Sequence, residues 1–263
     1  MDLGLRGKVA LVAASSQGLG RAIAEELAAE GAAIVMCARD EARLREAAAR
    51  IAAATGAKVV PVAADVSKAA DVRRLTETAL AAFGRVDVVV TNSGGPPPGT
   101  FESTSPEAWQ AAVEVLLTSA VEMIRGLLPG MKERRFGRIL NITSITVKQP
   151  VENLILSNSL RAAVTGMART LANEVAPYDI TVNNLLPGYT RTERLTELAE
   201  SAARRDGTAP ADFYARLERE IPAKRLGEPR ELAALAAFLA SERAGYVTGQ
   251  SIAVDGGWIR GLY

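Results

Sequence analysis

A glycine-containing turn near the start of the chain has residue types that bind phosphate. Its sequence, Ala13-Ala14-Ser15-Ser16-Gln17-Gly18-Leu19-Gly20-Arg21, follows an apolar run and precedes a helical pattern. Unpaired N–H groups and the dipole at a helix start favour negative charge, and the two glycines let the backbone approach a ligand closely. The turn predicts a site for a dinucleotide diphosphate. A plain strand-to-helix turn is the alternative, because glycines alone are a weak signal.

Arg39 lies directly after the second apolar run, at the position that distinguishes two coenzymes. An acidic residue there accepts hydrogen bonds from a ribose 2′-hydroxyl, whereas an arginine favours a 2′-phosphate. Arg39 therefore favours NADP as the cofactor, with NAD left open. The alternative is a solvated loop arginine that pairs with Asp40.

These residues need elements that bring them to one edge of a sheet. Short runs rich in β-branched residues alternate with longer Ala/Leu/Glu/Arg-rich stretches of helical spacing, which is typical of βαβ units. We predict strands at 9–13, 33–37, 58–63, 86–91, 137–142, 181–186 and 251–254, and helices at 20–30, 41–55, 69–83, 106–133, 154–175 and 229–240. The predicted fold is α/β, a doubly wound parallel sheet (Rossmann fold).

The segment 190–226 interrupts this alternation after the sixth strand. It is polar and carries Gly207 and Pro210 between two amphipathic stretches. Ligands of open α/β sheets bind beyond the carboxyl ends of the strands, so we interpret this segment as a substrate lid. No internal repeat or low-complexity linker is found, and we predict a single domain over 1–263.

The composition excludes several classes of function. Formal net charge is +1 with acidic and basic residues interspersed, so no basic stripe indicates nucleic acid. The chain has no histidine, which rules out a Ser-His-Asp hydrolase and a histidine-ligated zinc site, and we expect no metal.

The single cysteine and the length of the apolar runs indicate where the protein is located. The one cysteine, Cys37, lies in an apolar run; we predict a packed core thiol, which fits a reducing cytoplasm. No run approaches the roughly 18 apolar residues that a membrane helix needs, and the start of the chain lacks an export pattern. We expect a cytoplasmic protein without a membrane partner.

Motifs along nearly the whole chain resemble those of the short-chain dehydrogenase/reductases. The glycine turn is similar to that family's Thr-Gly-x-x-x-Gly-x-Gly, with Ala13 and Ala14 in its first two positions. Further matching runs are Ala64-Asp65-Val66, Thr91-Asn92-Ser93-Gly94, Pro187-Gly188, Gly245-Tyr246-Val247-Thr248-Gly249-Gln250 and Val254-Asp255-Gly256-Gly257-Trp258. Alanine at position 14 fits if its φ is negative.

The resemblance implies a coenzyme site and a class of reaction. The implied coenzyme residues are Ala14, Ser16, Gln17, Gly18, Leu19, Gly20, Arg39, Asp65, Val66, Asn92, Ser93, Gly94, Arg161, Pro187 and Gly188. NADP-preferring members often carry a second basic residue where Gln17 stands. The implied protein is similar to 3-oxoacyl-acyl carrier protein reductases, acts on a small-molecule substrate, and forms a homotetramer or homodimer through the helices at 106–133 and 154–175. The alanines of those helices could instead line the sheet.

The family's catalytic residues are a Ser, a Tyr and a Lys four positions later, with an Asn on the preceding helix. The resemblance puts Ser144 at the serine, Ser157 at the tyrosine, Arg161 at the lysine and Leu116 at the asparagine. An alkyl hydroxyl titrates roughly six units above a phenol, so Ser157 is a poor acid, and guanidinium stays charged. Arg161 can still position a ribose or an anionic substrate.

Another group must then supply the proton. Lys148 and Tyr189 lie on segments that should face the pocket, and Glu152 is a third candidate; the alternative for each is a solvated loop side chain, which we favour for Lys148 and Glu152. We predict an NAD(P)-dependent oxidoreductase for a carbonyl or secondary alcohol with atypical acid–base residues, because the cofactor itself carries the hydride. The alternatives are a nucleotide-binding pseudoenzyme and a non-redox lyase or isomerase.

Overall fold

Seven apolar runs form one parallel sheet in the computed structural model, which describes residues 2–262. The strands are β1 (Val9–Val12), β2 (Ala33–Ala38), β3 (Val59–Ala63), β4 (Val88–Thr91), β5 (Gly137–Ile142), β6 (Ile180–Pro187) and β7 (Ser251–Val254). Their order is β3-β2-β1-β4-β5-β6-β7, which confirms the predicted fold class. Because β1 lies between β2 and β4, the sheet grows in opposite directions from β1, and a crevice is expected at the carboxyl ends there.

Helices cover both faces of this sheet. They are α1 (Gly18–Ala29), α2 (Glu41–Thr55), α3 (Ala69–Phe83), α4 (Pro106–Ala112), α5 (Ser119–Arg134), α6 (Ile155–Val175), α7 (Glu193–Asp206), α8 (Pro210–Glu220) and α9 (Pro229–Ala240). Within residues 2–262, none has the length and apolar character needed to cross a bilayer.

The helix predicted at 106–133 is present and runs to Arg134, but it is not α-helical throughout. A π-helical segment, Val113–Thr118, separates α4 from α5. Ala112 and Leu116 both pack against Leu156 and Leu160 of α6. The wider π turn accommodates an extra residue while both apolar side chains stay buried, and apolar spacing alone does not reveal such a turn.

Each inner strand is buried on both sides, which explains its unbroken apolar sequence. One core lies beneath α1, α2 and α9, and the other lies beneath α3, α5 and α6. Cys37 belongs to the second core and is completely buried, which confirms the predicted core thiol. Burial raises the pKa of this thiol to about 11.

A polar row crosses four neighbouring strands of the sheet, β4 to β7. Thr91 Oγ1 donates to Asn141 Oδ1 (2.7 Å), Asn141 Nδ2 donates to Asn184 Oδ1 (3.1 Å), and Asn184 Nδ2 donates to Ser251 Oγ (3.1 Å). These residues are register partners on β4, β5, β6 and β7. The row therefore ties together the strands that lead into the ligand crevice.

The segment 190–226 contains the two amphipathic helices that the sequence predicted, α7 and α8. Gly207 ends α7 with a φ of 67°, and Pro210 begins α8. The two helices share a small apolar core that includes Leu195, Leu217 and Ile221. This segment is a separately packed unit at the rim of the sheet, and its role as a lid stays a prediction.

Candidate active site

A cleft of about 900 Å³ opens at the carboxyl ends of the central strands. Seventeen predicted site residues line its wall: Ala14, Ser16, Gln17, Gly18, Leu19, Arg39, Asp65, Val66, Asn92, Ser93, Gly94, Ser144, Ser157, Arg161, Pro187, Gly188 and Tyr189. The structure does not bring Lys148 or Glu152 into the cleft wall, and both side chains are exposed. Among residues 2–262, no group of three or more His, Cys, Asp or Glu side chains is arranged as a metal site.

Ala14 turns the chain out of β1 with a φ of 47°. The negative φ at which an alanine would fit this turn without strain is therefore not adopted. The hydroxyl of Ser15 closes the turn, since Oγ donates to the Val12 carbonyl (2.8 Å) and accepts from the Cys37 N–H (3.2 Å). The turn keeps a glycine-like backbone, and the alanine bears strain of about 1–2 kcal/mol in this left-handed region.

Gly20 allows α1 to lie directly against this turn. A Cβ at Gly20 would lie 2.3 Å from the Ala14 carbonyl oxygen and 2.9 Å from Asn92 Nδ2. Asn92 Nδ2 donates to the same carbonyl at 3.4 Å. Gly20 thus stands behind the cleft wall and brings the start of α1, with Gly18 and Leu19, onto the cleft.

Two guanidinium groups lie at the far end of the cleft, those of Arg39 and Arg43. Arg43 Nη1 donates to Gln17 Oε1, and the Arg43 guanidinium lies 3.5 Å from the Asp40 carboxylate, which caps α2. The alternative pairing of Arg39 with Asp40 is wrong, because Asp40 pairs with Arg43 and Arg39 forms no ion pair within residues 2–262. Sequence reasoning missed Arg43; its place in the first turn of the helix that follows Arg39 was the available signal.

Asp65 lies beside this end of the cleft, in the loop after β3. Its Oδ1 accepts hydrogen bonds from the N–H (3.1 Å) and the hydroxyl (2.8 Å) of Ser67. Its own N–H donates to Asp71 Oδ2 at 2.8 Å. These bonds hold the loop so that Asp65 and Val66 form part of the cleft wall.

The other end of the cleft carries Ser144, Ser157 and Arg161. Ser144 follows β5, and its Oγ accepts a hydrogen bond from the Thr146 N–H (3.1 Å). Ser157 and Arg161 are one turn apart on α6, and Arg161 Nε donates to Ser157 Oγ at 3.3 Å. Arg161 Nη1 donates to the Ile142 carbonyl at 2.8 Å.

The environment of Arg161 is unusual for a guanidinium. Burial, and secondarily the positive charge of Arg194, lower the pKa of Arg161 to about 10. Both hydrogen-bond acceptors of Arg161 are neutral, and no carboxylate lies within ion-pair distance among residues 2–262. Arg161 therefore stays charged at neutral pH without a compensating anion from the described chain.

Arg194 is a second cation on this part of the wall, and sequence reasoning did not find it. It lies in the first turn of α7, in the predicted lid. Its Nη2 donates to the Pro96 carbonyl (2.7 Å), and its Nη1 donates to Glu197 (3.1 Å). The first turn of α7 and the proline-rich loop at 94–99 are thus joined by a hydrogen bond.

Tyr189 contributes a phenol to the same wall. Its ring packs edge-to-face on Trp258 with the ring centres 5.5 Å apart. Burial, followed by the charge of Glu220, raises the pKa of Tyr189 to about 12, so the phenol keeps its proton through neutral pH. Leu116, by contrast, is buried among apolar residues and supplies no polar group.

Comparisons with known proteins match this geometry over the whole chain. A family profile described as enoyl-(acyl carrier protein) reductase covers residues 13–259. The NADPH-dependent reductase BacG of Bacillus subtilis is 32% identical over 256 residues, which cover 97% of this chain and 99% of the relative. The 3-oxoacyl-[acyl-carrier-protein] reductase of Haemophilus influenzae is 34% identical over 253 residues, covering 96% of this chain and 98% of the relative.

A solved structure agrees in both fold and length. The L-sorbose reductase of Gluconobacter frateurii, crystallised with NADPH and L-sorbose, is 38% identical, has a TM-score of 0.95, and covers 100% of both chains. The match therefore includes every element that builds the cleft. From this agreement and the profile match, we conclude that the chain belongs to the short-chain dehydrogenase/reductase family.

Proposed function

We propose that the protein reduces a small carbonyl compound with NADPH, or oxidises the matching secondary alcohol with NADP⁺. The observation that carries this proposal is one continuous cleft, which joins the Arg39 and Arg43 guanidinium groups to Ser144, Ser157 and Arg161. The NADPH dependence of the Bacillus relative and the NADPH bound to the sorbose reductase support the choice of coenzyme.

The residues of the cleft fit NADPH. The start of α1 would bind the diphosphate, because Gly18 and Leu19 line the cleft there and the first N–H groups of a helix favour an anion. Arg39 and Arg43 would bind the 2′-phosphate, and Asp65 would border the adenine. The remaining predicted coenzyme residues that line the cleft toward its Ser144 end are Asn92, Ser93, Gly94, Arg161, Pro187 and Gly188.

When bound, NADPH supplies the hydride, so the reaction balances as carbonyl plus NADPH plus a proton giving alcohol plus NADP⁺. Arg161 Nε already donates to Ser157 Oγ, which leaves the Ser157 hydroxyl hydrogen for another acceptor. We assign Ser144 and Ser157 as donors to the carbonyl oxygen. The Arg161 charge then stabilises that oxygen as negative charge develops on it.

The proton is assigned to Tyr189. With a pKa of about 12, its phenol remains protonated until an alkoxide forms. An alkoxide is far more basic than a phenolate, since its conjugate acid titrates near ~15.7, as water does. Transfer from the phenol to the new alkoxide is therefore downhill.

Fluorescence titration with NADPH and NADH tests the coenzyme site. We expect Arg39→Ala and Arg43→Ala each to weaken NADPH binding by about tenfold, the order of one lost charge-assisted bond, and to leave NADH binding nearly unchanged. Arg45→Ala is the matched control, because Arg45 lies on the same helix, pairs with Glu41 and does not line the cleft. Equal losses for both coenzymes would argue against a 2′-phosphate site.

NADPH oxidation with a panel of aldehydes and ketones tests the chemistry. Tyr189→Phe keeps the ring on Trp258 but removes the hydroxyl, and we expect turnover to fall about 10²-fold or more. Lys148→Ala should leave turnover unchanged, because Lys148 is exposed outside the cleft. Tight NADPH binding without turnover on any carbonyl would favour the pseudoenzyme, and product formation without NADPH consumption would favour a lyase or isomerase.

A further inference from the structure

The charges at the Ser144 end of the cleft are unbalanced. Arg161 and Arg194 both line this part of the wall. Glu197 lies 3.1 Å from Arg194 and is the carboxylate that compensates it. Glu193 also lines the cleft, but its carboxylate lies beside the start of α1, where Oε2 is 3.3 Å from the point where a Cβ on Gly18 would stand. One positive charge, that of Arg161, is left without a partner in this region.

Arg161 lines the cleft with only neutral hydrogen-bond partners, so the protein leaves its charge uncompensated and an anion bound in the cleft would gain from it. Arg161 donates from Nε to Ser157 Oγ and from Nη1 to the Ile142 carbonyl. Its Nη2 forms no hydrogen bond with residues 2–262, and this nitrogen remains for a ligand. The positive charge of Arg194 increases the excess of positive charge here and, after burial, contributes to the lowered pKa of Arg161.

This inference rests on the proposed function. Under that function, the bound coenzyme does not supply an anion to Arg161. Its phosphates would lie at the start of α1 and between Arg39 and Arg43, at the other end of the cleft. The groups left for the Ser144 end are a sugar and the nicotinamide. An anionic group on the substrate would supply the missing negative charge.

We propose that the substrate is an oxo acid, whose carboxylate is bound by Arg161 and Arg194 while its carbonyl oxygen faces Ser144 and Ser157. Arg161 would donate from Nη2 and Arg194 from its own guanidinium, so charge-assisted hydrogen bonds from two cations would hold the carboxylate and fix its orientation as well as its affinity. The cleft wall also carries the apolar residues Val115, Val151 and Leu154, which suit a short hydrocarbon chain. Because Arg194 reaches the cleft from α7, the same carboxylate would hold the lid against the proline-rich loop.

Matched pairs of substrates test this proposal. The probes are short 2-oxo and 3-oxo acids and their methyl esters, which keep the ketone and remove the charge. We expect wild-type protein to prefer the acids in kcat/KM by about tenfold or more, the order expected for one charge-assisted bond. Arg194→Gln should raise KM for the acids by a similar factor without changing it for the esters, and Arg194→Lys should restore part of the loss.

Arg204→Gln is the control variant, because Arg204 lies in the last turn of α7, is exposed and does not line the cleft. Calorimetry with the non-reacting saturated carboxylic acids provides a readout that needs no turnover: wild-type protein should bind them, and Arg194→Gln should bind them more weakly. Preference for the esters, equal effects of Arg194→Gln on acids and esters, or no carboxylate binding at millimolar concentration would overturn the proposal. NADPH titration of the same samples separates that failure from failure of the coenzyme site.

Discussion

At the turn after β1, the methyl group of Ala14 stands where glycine would be free of strain. Ala14→Gly should remove about 1–2 kcal/mol of strain. The added freedom of the unfolded chain offsets roughly 0.5–1 kcal/mol of that gain. We expect the free energy of unfolding in urea to rise by a few tenths to about 1 kcal/mol.

Ala13→Gly is the neighbouring control for this change. Ala13 is fully buried and is not among the residues with positive φ. Loss of its methyl group and the added chain freedom should lower the free energy of unfolding by about 1 kcal/mol or more. Equal destabilisation by the two variants would mean that Ala14 is not strained.

Cys37 makes stability depend on alkaline pH. Its thiol ionises near pH 9.0 in the unfolded chain but only near pH 11 in the fold, because burial opposes the charge. The folded-state pKa is raised, so this contribution is fully present below pH 9.0 and is lost as pH rises toward 11. The loss amounts to about 2 to 3 kcal/mol.

Denaturation at a series of pH values checks this prediction. Cys37→Ala should be less stable at pH 7 because of the cavity it creates, yet it should lose less stability than wild type between pH 9 and 11. Native wild-type protein should also resist thiol reagents at pH 8 until it unfolds. Parallel pH profiles for the two proteins would contradict a buried, weakly acidic thiol.

For single residues, the sequence predicts a place in the cleft wall when the residue directly follows a strand. Ser144 and Arg39 line the wall because the ends of β5 and β2 lead there. Arg43 and Arg194 were missed because their side chains enter from the first turns of α2 and α7, whose directions depend on packing. Lys148 follows the 3₁₀ turn Ile145–Val147, which directs it to solvent.

At the scale of elements, the polar row provides a direct test of how the strands are held together. Asn141→Ala leaves the Thr91 hydroxyl and Asn184 Oδ1 without the hydrogen-bond partner that each now has. An unsatisfied buried polar group costs about 1–3 kcal/mol, so the free energy of unfolding should fall by at least that amount. Chemical denaturation measures the change.

Asn173→Ala is the control on an exposed face of α6. Its effect should stay within about 0.5 kcal/mol, as for most surface substitutions. A similarly small effect of Asn141→Ala would show that water replaces the lost partner in the row.

The elements themselves follow from local signals where those signals are strong. The predicted bounds of α2 and α3 match the structure because Gly56 and Gly84 end these helices in the left-handed conformation. The start of α1 was placed two residues late, since Gly18 and Gly20 argue against helix although α1 includes both. The π-helical segment was missed because it depends on contacts with α6.

At the scale of the whole molecule, α6 presents small residues to solvent. Ala162, Ala163 and Gly166 are exposed, whereas Leu160, Val164 and other residues of this helix face the interior. These small side chains therefore do not line the sheet, and they remain available to the dimer or tetramer that the sequence predicts. Ala163→Arg should place a charge in that contact and reduce the mass in light scattering toward that of one chain.

Ala54→Arg is the matched control, because Ala54 is also an exposed alanine on a helix, α2, away from the predicted interface. It should leave the mass unchanged. If wild-type protein already scatters as a single chain, or if both variants have the mass of wild type, the interface prediction fails.

The free edge of β3 bears on how the protein behaves in crowded solution. The Lys58 carbonyl and the Ala64 N–H bond to β2, so the alternating backbone turns Pro61 toward the open side. Proline has no N–H, and a strand from another molecule would meet a missing donor in the middle of this edge. Sheet-to-sheet polymerisation is blocked there, and we expect the protein to remain free of fibrils at high concentration.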